Sequence, residues 1–250
     1  MDYTIIKDEE TLIKFDSGFF FGKGLFETIL IKDKPIFLKE HLLRLNNGLK
    51  CLGINFQIEE SELLEQINGM KNCALKLMVS EKNVIISSRA ITYTSKNYKD
   101  GFKVKASKYK RNPYSPTVAL KSFNYMDNIL EKNIANNEGY DEVLFFNTHN
   151  ILCEGSMTNV FIVEKNDILT PSDDCGLLKG VVRDFIIKNL KERYNVKETK
   201  ISLEQIKNCD GMFLTNSLMG IMWVSKYEQL IFENNHIIEK IKIEYENYIK

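Results

Sequence analysis

The chain has 250 residues, of which 44% are hydrophobic and 27% charged, and its 34 basic and 34 acidic side chains leave no formal net charge. This composition is typical of a globular protein with one large domain or two modest ones. Binding to nucleic acids or to membrane surfaces usually goes with a basic excess, which this sequence lacks. The N-terminal MDYTIIKDEE does not have the pattern of a secretory signal. No apolar run approaches the roughly 20 residues of a membrane span. The cytoplasm is therefore the expected location.

Five cysteines and three histidines are scattered along the chain. The cysteines form no Cys-x-x-Cys pair and their number is odd, so the sequence predicts neither a disulfide framework nor a zinc site. We expect thiols that pack as small hydrophobic side chains, and no metal ion.

The first half of the chain alternates between strand-like and helix-like segments. Residues 25–31 and 35–38 are predicted to form a hairpin with a turn at 32–34. Leucines at helical spacing predict a helix over 39–52, and a second helix is expected over 61–67 with Ser61 as its N-cap. The strands predicted after it are residues 74–80, 83–93 and 102–109.

The second half follows the segment YKRNPYSPT, which holds two of the four prolines. Proline-rich segments favour connections, so residues 110–117 are predicted to be an interdomain linker. The helices expected beyond it are 124–137, 181–194 and 237–249. The expected strands are 141–147, 159–164, 167–170, 196–202 and 211–215. Mixed elements on both sides of the linker indicate an α/β (α+β) protein with a smaller N-terminal α/β domain, 1–109, and a larger C-terminal domain, 118–250.

Two ionisable residues have neighbourhoods that favour chemistry. Lys121 ends an apolar stretch directly before a predicted helix, where desolvation would lower the pKa of its amine, as a Schiff-base lysine requires. Most lysines are nevertheless solvated surface residues. Glu154 is predicted in a Glu-Gly-Ser turn between two strands, where its carboxylate could face a cofactor nitrogen. An exposed turn glutamate is the commoner case.

Two further segments are suited to an anion. Gly180 is placed at the start of a predicted helix, and the free backbone N–H groups of a helix start attract anions. Thr215, Asn216 and Ser217 follow a predicted strand, and their hydroxyl and amide groups suit a phosphate. Each of these signals is weak by itself.

Taken in order, the segments LKSFNY, EGSMTNVF, LLKGVVRD and FLTNSLMGIM resemble the successive motifs of fold-type IV pyridoxal-phosphate (PLP) enzymes, and FFFGKGLFETI with EHLLRL completes the set. That family includes branched-chain aminotransferases, D-amino-acid aminotransferases and 4-amino-4-deoxychorismate lyases. The resemblance extends from about Gly18 to Val224. It implies a two-domain D-amino-acid aminotransferase-like PLP fold, a small-molecule substrate and a homodimer, with no nucleic-acid or membrane partner.

The resemblance also implies roles for single residues. Lys121 matches the lysine that forms the Schiff base with PLP and later moves the proton, and Glu154 matches the glutamate that pairs with the pyridine nitrogen. Arg44 matches the arginine that holds the cofactor phosphate. The other positions expected at the cofactor phosphate are Val181, Val182, Asn216 and Ser217. Two positions depart from the family pattern, because Val182 replaces a frequent threonine and Trp223 a frequent proline.

The closest motifs are those of 4-amino-4-deoxychorismate lyase. The run TNSLMGIM and the KSFN spacing resemble the lyases, although D-amino-acid aminotransferases share this spacing. The expected reaction gives 4-aminobenzoate and pyruvate for folate biosynthesis. The alternatives are a class IV aminotransferase acting on D- or branched-chain amino acids with 2-oxoglutarate, or a non-catalytic relative that binds a phosphorylated ligand. The predicted substrate contacts are Thr28, Arg111 and Tyr125; a surface arginine is an equally common role for Arg111.

Overall fold

A computed structural model describes residues 4–7 and 12–250. In these residues the helices are α1 (Ser17–Phe21), α2 (Leu38–Cys51), α3 (Glu60–Gln66), α4 (Ser95–Asp100), α5 (Met126–Asn137), α6 (Val181–Tyr194), α7 (Leu203–Asn208) and α8 (His236–Tyr248). The strands are β1 (Thr4–Ile6), β2 (Gly24–Ile31), β3 (Cys73–Ser80), β4 (Asn83–Arg89), β5 (Phe102–Arg111), β6 (Glu142–Asn147), β7 (Leu152–Gly155), β8 (Asn159–Glu164), β9 (Asp167–Pro171), β10 (Val196–Thr199), β11 (Gly211–Asn216), β12 (Gly220–Tyr227) and β13 (Leu230–Ile231).

The chain divides into two structural units, and the expectation of a mixed α/β protein is confirmed. The first unit comprises the described residues up to Thr92 together with Leu120–Tyr125. The second comprises Tyr93–Ala119 and Met126–Lys250. None of the helices in the described part of the chain is long and apolar enough to cross a membrane.

The first unit contains a sheet of four described strands in the order β1-β4-β3-β2. Strand β2 pairs antiparallel with β3 from Gly24–Ser80 to Ile31–Cys73 without a register shift. Successive side chains of a strand point to opposite faces, and one face packs on α2 and α3. The buried core on that face includes Leu25, Ile29, Leu42, Leu45, Leu49, Leu63, Leu75 and Leu77. Each such leucine stabilises the fold by roughly 1.5–3 kcal/mol.

A short segment after Ala119 returns to the first unit and extends the pairing of β2. The N–H of Phe26 donates to the Lys121 carbonyl at 2.9 Å, and the N–H of Phe123 donates to the Gly24 carbonyl at 2.9 Å. A Cβ at position 24 would collide with the Phe123 ring, so glycine is required for this close approach. The backbone of Lys121 is thereby fixed beside β2.

The second unit contains a sheet of nine described strands in the order β10-β9-β8-β11-β12-β5-β6-β7, with β13 beside β12. Its core holds apolar side chains from most of these strands, among them Val104, Leu144, Val160, Ile162, Met212, Leu214 and Val224. Helix α6 contacts β10 and β11, and α8 contacts β12. The sheet therefore supplies a buried framework for the loops that follow its strands.

Most predicted elements are present, and two predictions are wrong. Residues 35–38 do not form the second strand of a hairpin: Pro35 makes one isolated bridge to Ile31, because proline has no N–H to donate to a ladder, and α2 starts at Leu38. Ser61 does not cap α3, which starts at Glu60.

The predicted domain limits also differ from the two units. The prediction put residues 102–109 in the N-terminal domain, 110–117 in a linker and Lys121 in the C-terminal domain. Strand β5 instead pairs with β6 and β12 of the second unit, and Lys121 belongs to the first unit.

Candidate active site

Lys121 lies against aromatic rings of the first unit. Its Nζ is 4.5 Å from the ring centroid of Phe26 and 5.2 Å from that of Tyr125. The two rings meet edge to face with centroids 5.1 Å apart. Aromatic faces attract a cation but replace part of its hydration shell. The half-buried amine of Lys121 is thus in the kind of surroundings that a Schiff-base lysine requires.

Arg44 belongs to a charged network on the other side of β2. Its Nε and Nη2 donate to the two carboxylate oxygens of Glu27 at 2.7 and 2.6 Å. His41 Nδ1 lies 2.7 Å from Oε2 of the same carboxylate. Glu27 and His41 are almost completely buried, while 18% of the Arg44 side chain is exposed. The network fixes the direction of the one arginine that the sequence assigns to the phosphate.

Burial and the neighbouring charge have opposite effects on the pKa of the Glu27 carboxyl. Burial would raise the pKa of the Glu27 carboxyl, but the charge of Arg44 and the hydrogen bonds from Arg44 and His41 outweigh it and hold the pKa well below its usual range. Burial is also the largest influence on His41 and lowers its pKa despite the neighbouring Glu27. A neutral His41 then donates its Nδ1–H to an ionised Glu27.

A second lysine lies on the ring that Lys121 contacts. Lys76 Nζ is 3.5 Å from the Phe26 centroid, and Lys76 is paired directly with Thr28 across β2 and β3. Burial lowers the pKa of Lys76 to about 8, with a further contribution from the charge of Arg89, and Glu27 opposes the shift. The sequence gives no sign of Lys76, because a lysine on a predicted strand is usually solvated.

Glu154 is at the centre of the corresponding arrangement in the second unit. It lies in β7 and only 8% of it is exposed, so the turn predicted at this point begins after it, at Ser156. Its Oε2 accepts the N–H of Leu178 at 3.0 Å, and its Oε1 is 3.5 Å from Arg111 Nη2. An exposed turn position is therefore wrong for Glu154.

Arg111 is held from three directions. Besides its contact with Glu154, its Nη2 donates to Asn128 Oδ1 at 3.0 Å, and its guanidinium lies 4.1 Å from the centroid of the Phe145 ring. Asn128 in turn donates to the Ser156 carbonyl at 2.6 Å. Asn128 and the N–H of Leu178 are site residues that the sequence did not indicate, because their contacts depend on how β5, β6 and α5 pack.

The start of α6 presents backbone N–H groups, as predicted from Gly180. Gly180 is the N-cap and offers no side-chain cap, so the first-turn amides of Val181 and Val182 are not capped by it. A Cβ at position 180 would collide with Oδ1 of Asn159, whose Nδ2 donates to the Leu178 carbonyl at 2.8 Å. Buried Arg183 ties this helix start to β9 through the Pro171 carbonyl at 2.8 Å.

The segment after β11 is a turn organised by Asn216. Its Oδ1 accepts the N–H groups of Leu218 and Met219 at 3.0 and 2.9 Å, and its Nδ2 donates to the Tyr93 hydroxyl at 3.0 Å. These contacts give the Asn216 side chain a structural task that the sequence did not predict. The buried Thr215 Oγ1 has no hydrogen-bond partner among the described residues. Ser217 lies in the turn that joins β11 to β12.

The predicted site residues thus fall into two groups. The first unit holds Arg44, Lys121, Tyr125 and Thr28, and the second unit holds Glu154, Arg111, Val181, Val182, Asn216 and Ser217. Lys121 contacts Tyr125 and Glu154 contacts Arg111. The residues that sequence reasoning missed are those that orient them, namely Phe26, Glu27, His41, Asn128 and Leu178. Such a supporting role depends on three-dimensional contacts and leaves no motif.

The sequence of the chain matches a known protein family over the segment that carries these site residues. The Amino-transferase class IV family matches residues 24–227. The chain belongs to this family. The recognition drawn from the motifs is therefore confirmed, and the class IV match begins with β2 and ends with β12.

Relatives named for each of the two expected activities are similar to the chain. The "Aminodeoxychorismate lyase" of Bacillus subtilis is 29% identical over 269 residues, covering 97% of the chain and 91% of that protein. The "Putative branched-chain-amino-acid aminotransferase" of Methanocaldococcus jannaschii is 28% identical over 249 residues, covering 91% and 86%. A crystal structure of the "Putative 4-amino-4-deoxychorismate lyase" of Legionella pneumophila superposes with a TM-score of 0.90 at 29% identity, covering all of both chains. The expected fold-type IV architecture is confirmed, and the chain is a class IV enzyme.

Proposed function

We propose that the protein is a PLP-dependent 4-amino-4-deoxychorismate lyase that yields 4-aminobenzoate and pyruvate for folate biosynthesis. The observation that carries the proposal is the turn TNSLMG, in which Asn216 accepts the N–H groups of Leu218 and Met219. This Asn-Ser-Leu-Met segment is the one that resembles the lyases. Similarity to the Bacillus protein over nearly the whole chain supports the same choice.

The residues present fit PLP. The cofactor has an aldehyde, a pyridine nitrogen and a phosphate, and the chain offers a partner for each. Lys121, over aromatic rings, is an amine for the aldehyde, and buried Glu154 is a carboxylate for the nitrogen. Arg44, the Val181 and Val182 amides and Ser217 are proposed to hold the phosphate. When bound, PLP supplies an electron sink for the charge left as a proton leaves the substrate carbon.

In this proposal the side chains divide the remaining work. Lys121 takes the proton from the amine-bearing carbon, because its amine is the base next to the cofactor. Arg111 keeps Glu154 in place, since a guanidinium 3.5 Å away attracts the carboxylate. Thr28 and Tyr125 are proposed to border the substrate. The residues proposed at the phosphate hold and orient the cofactor and take no part in proton transfer.

A class IV aminotransferase acting on D- or branched-chain amino acids with 2-oxoglutarate is the second candidate. The observation in its favour is the similarity to the Methanocaldococcus relative. The two reactions share the first proton transfer and differ in their products, because the aminotransferase yields a keto acid from the amino acid and the lyase yields 4-aminobenzoate and pyruvate.

One assay separates the two reactions. Purified protein with PLP is given aminodeoxychorismate and no amino acceptor, and fluorescent 4-aminobenzoate is expected to form. Absence of 4-aminobenzoate, together with turnover of an amino acid and 2-oxoglutarate, would establish the aminotransferase instead. The Lys121→Ala variant serves as control, since it is expected to lose the visible absorption band that borohydride bleaches in the wild type.

We also propose a homodimer, which the class IV resemblance implies. The first unit exposes an apolar surface formed by Phe15, Phe19, Phe20 and Phe21, each between 61% and 79% exposed. Contiguous exposed apolar side chains of this kind are typical of protein interfaces.

A further inference from the structure

Lys76 and the amine of Lys121 lie over the same aromatic ring. Directly paired residues of an antiparallel sheet point to one face, and the register pairs Phe26 with Met78 and Thr28 with Lys76. Glu27, between Phe26 and Thr28, points to the opposite face, where α2 packs. The Phe26 ring is thus contacted by two amines, with Lys76 Nζ at 3.5 Å and Lys121 Nζ at 4.5 Å from its centroid.

The charges around Lys76 come from each neighbouring element. Arg89 of β4 pairs with Ala74, two residues from Lys76, and so lies on the same face. Glu27 of β2 is the carboxylate that acts on it from the other face. Lys121 is the cation on the returning segment. The charged groups around Lys76 are therefore one carboxylate, Glu27, which also binds Arg44, and the two cations Arg89 and Lys121. Arginine does not release a proton near neutral pH, whereas a buried lysine such as Lys76 can.

We propose that Lys76 is the general acid that protonates the departing oxygen of the substrate in the lyase reaction. This inference rests on the proposed function. The position of the amine beside Phe26, next to the lysine that takes the substrate proton, is the observation that carries it. Thr28 and Arg89, its neighbours on the sheet, are much weaker acids and cannot replace it.

The step balances without a further reactant. Lys121 removes the proton from the amine-bearing carbon, and the electron pair of that C–H bond forms a double bond to the neighbouring ring carbon. The C–O bond on that neighbour breaks, and its electron pair goes to the oxygen. Lys76 gives its ammonium proton to this oxygen, and enolpyruvate leaves and tautomerises to pyruvate. Neutral Lys76 recovers a proton from water.

The surroundings of Lys76 suit a proton donor, because they weaken its hold on the proton without removing the proton at neutral pH. An ether oxygen leaves poorly as an anion, so a positioned acid accelerates the step by about 100- to 10,000-fold. Burial and Arg89 lower the pKa of Lys76 to about 8, which makes it a stronger acid than an ordinary lysine and still protonated at neutral pH. After the transfer, the neutral amine is the form that burial favours.

The first measurement concerns the amine itself and does not depend on turnover. The PLP-bound protein is labelled with trace acetic anhydride at a series of pH values, and the peptides are quantified by mass spectrometry. The Lys76 peptide is expected to acquire label with a midpoint near pH 8. Lys71, which lies on the surface with 65% of its side chain exposed, serves as the matched control. A Lys76 midpoint equal to that of Lys71 would overturn the proposal.

The second measurement separates proton donation from charge. Lys76→Arg keeps the cation but cannot donate at neutral pH, and Lys76→Met removes both properties. Both variants are expected to keep the cofactor absorption band and to lose about 100-fold or more in kcat. The wild-type kcat should fall as pH rises through about 8, because the acid must be protonated, and Lys76→Arg should lack this limb. Lys71→Arg and Lys71→Met should behave as the wild type.

The outcomes distinguish this inference from the proposed function. A wild-type protein that forms no 4-aminobenzoate contradicts the function and with it this step. An active wild type whose Lys76→Arg variant keeps kcat within about threefold, with the same alkaline limb, contradicts the role of Lys76 alone.

Discussion

Among single residues, Glu27 has the most consequences for the site. Its carboxylate is buried, and it binds both Arg44 and His41. Two hydrogen bonds from one guanidinium to one carboxylate fix the plane of the arginine as well as its position. The network therefore connects the stability of the first unit to the orientation of the proposed phosphate ligand.

We expect Glu27→Gln to destabilise the protein by about 3 kcal/mol, since removing one member of a buried charged pair leaves the others without compensation. Urea unfolding measures this as a lower midpoint with an unchanged slope. The matched control is Asp33→Asn, because Asp33 forms an exposed pair with Lys71 and should change stability little. Equal effects of the two substitutions would contradict the buried network.

The effect of Glu27 should depend on pH in a defined direction. Its folded pKa lies below the ordinary value of 4.5, so its ionised form stabilises the folded state above that value. This contribution is lost as the pH falls below about 4.5 towards the folded pKa. The difference in unfolding free energy between wild type and Glu27→Gln should therefore be constant near neutral pH and shrink below pH 4.5. A difference that grows on acidification would contradict this assignment.

Arg111 offers a direct choice between two roles. A residue that holds Glu154 should affect the cofactor, whereas a residue that binds substrate carboxylates should affect KM alone. The Arg111 guanidinium contacts both Glu154 and Asn128, and the single ammonium group of a lysine cannot make both contacts in the same geometry. We therefore expect Arg111→Lys to shift the cofactor absorption and to weaken PLP binding by about 10-fold or more. A normal spectrum and PLP affinity with a raised KM would favour the substrate role.

Residues that carry a motif were predictable, and residues that orient them were not. Lys121 and Glu154 could be singled out because their flanking residues form recurring sequences. Glu27 and Asn128 act only through contacts with residues distant in sequence, and a single chain does not show which distant residues meet. Lys76 illustrates the same limit, since its pKa depends on burial beside Phe26 rather than on its neighbours in sequence.

Among the elements, the loop before α6 has the strictest steric requirement, because it has no room for a side chain at position 180. Asn159 of β8 occupies the space that a side chain at position 180 would need, and it also binds the Leu178 carbonyl. The Leu178 N–H binds Glu154. One loop thus links the start of the helix to the carboxylate.

We expect Gly180→Ala to lower stability and PLP affinity, because a new methyl group forces Asn159 away from the loop. The Asn159→Ala variant loses one hydrogen bond, about 1 kcal/mol, but makes room. In the double variant the Gly180→Ala change should cost at least 1 kcal/mol less than in the wild type, a coupling that a double-mutant cycle by urea unfolding measures. Additive effects would contradict direct contact between the two positions.

Elements with a local signal were predictable, and those that depend on distant pairing were misplaced. Helix α2 was predicted from the spacing of its leucines, and α6 from its apolar run after Gly180. The hairpin after β2 failed because Pro35 cannot continue a ladder. Strand β5 was recognised as a strand but assigned to the wrong half, because its partners β6 and β12 follow it far along the chain.

At the scale of the whole molecule, the chain leaves the first unit and returns to it. Residues 120–125 complete that unit, although they follow the segment predicted to be a linker. The return explains why Lys121 is beside β2 and not in the sheet that carries Glu154. A linear division of the sequence at its prolines could not have shown this.

The exposed phenylalanines give a whole-molecule prediction. Rings of Phe15, Phe19, Phe20 and Phe21 contact one another with centroids 5.0 to 6.2 Å apart, and most of their surface faces outward. We expect a symmetric dimer of twice the 29.1 kDa chain mass, measured by size-exclusion chromatography with light scattering. The double variant F20D/F21D should be mostly monomeric, because it puts charges where apolar area would be buried. Ile231→Asp, at another residue that is 81% exposed, is the control. A wild-type monomer, or a dimer that F20D/F21D leaves intact, would show that this surface has another use.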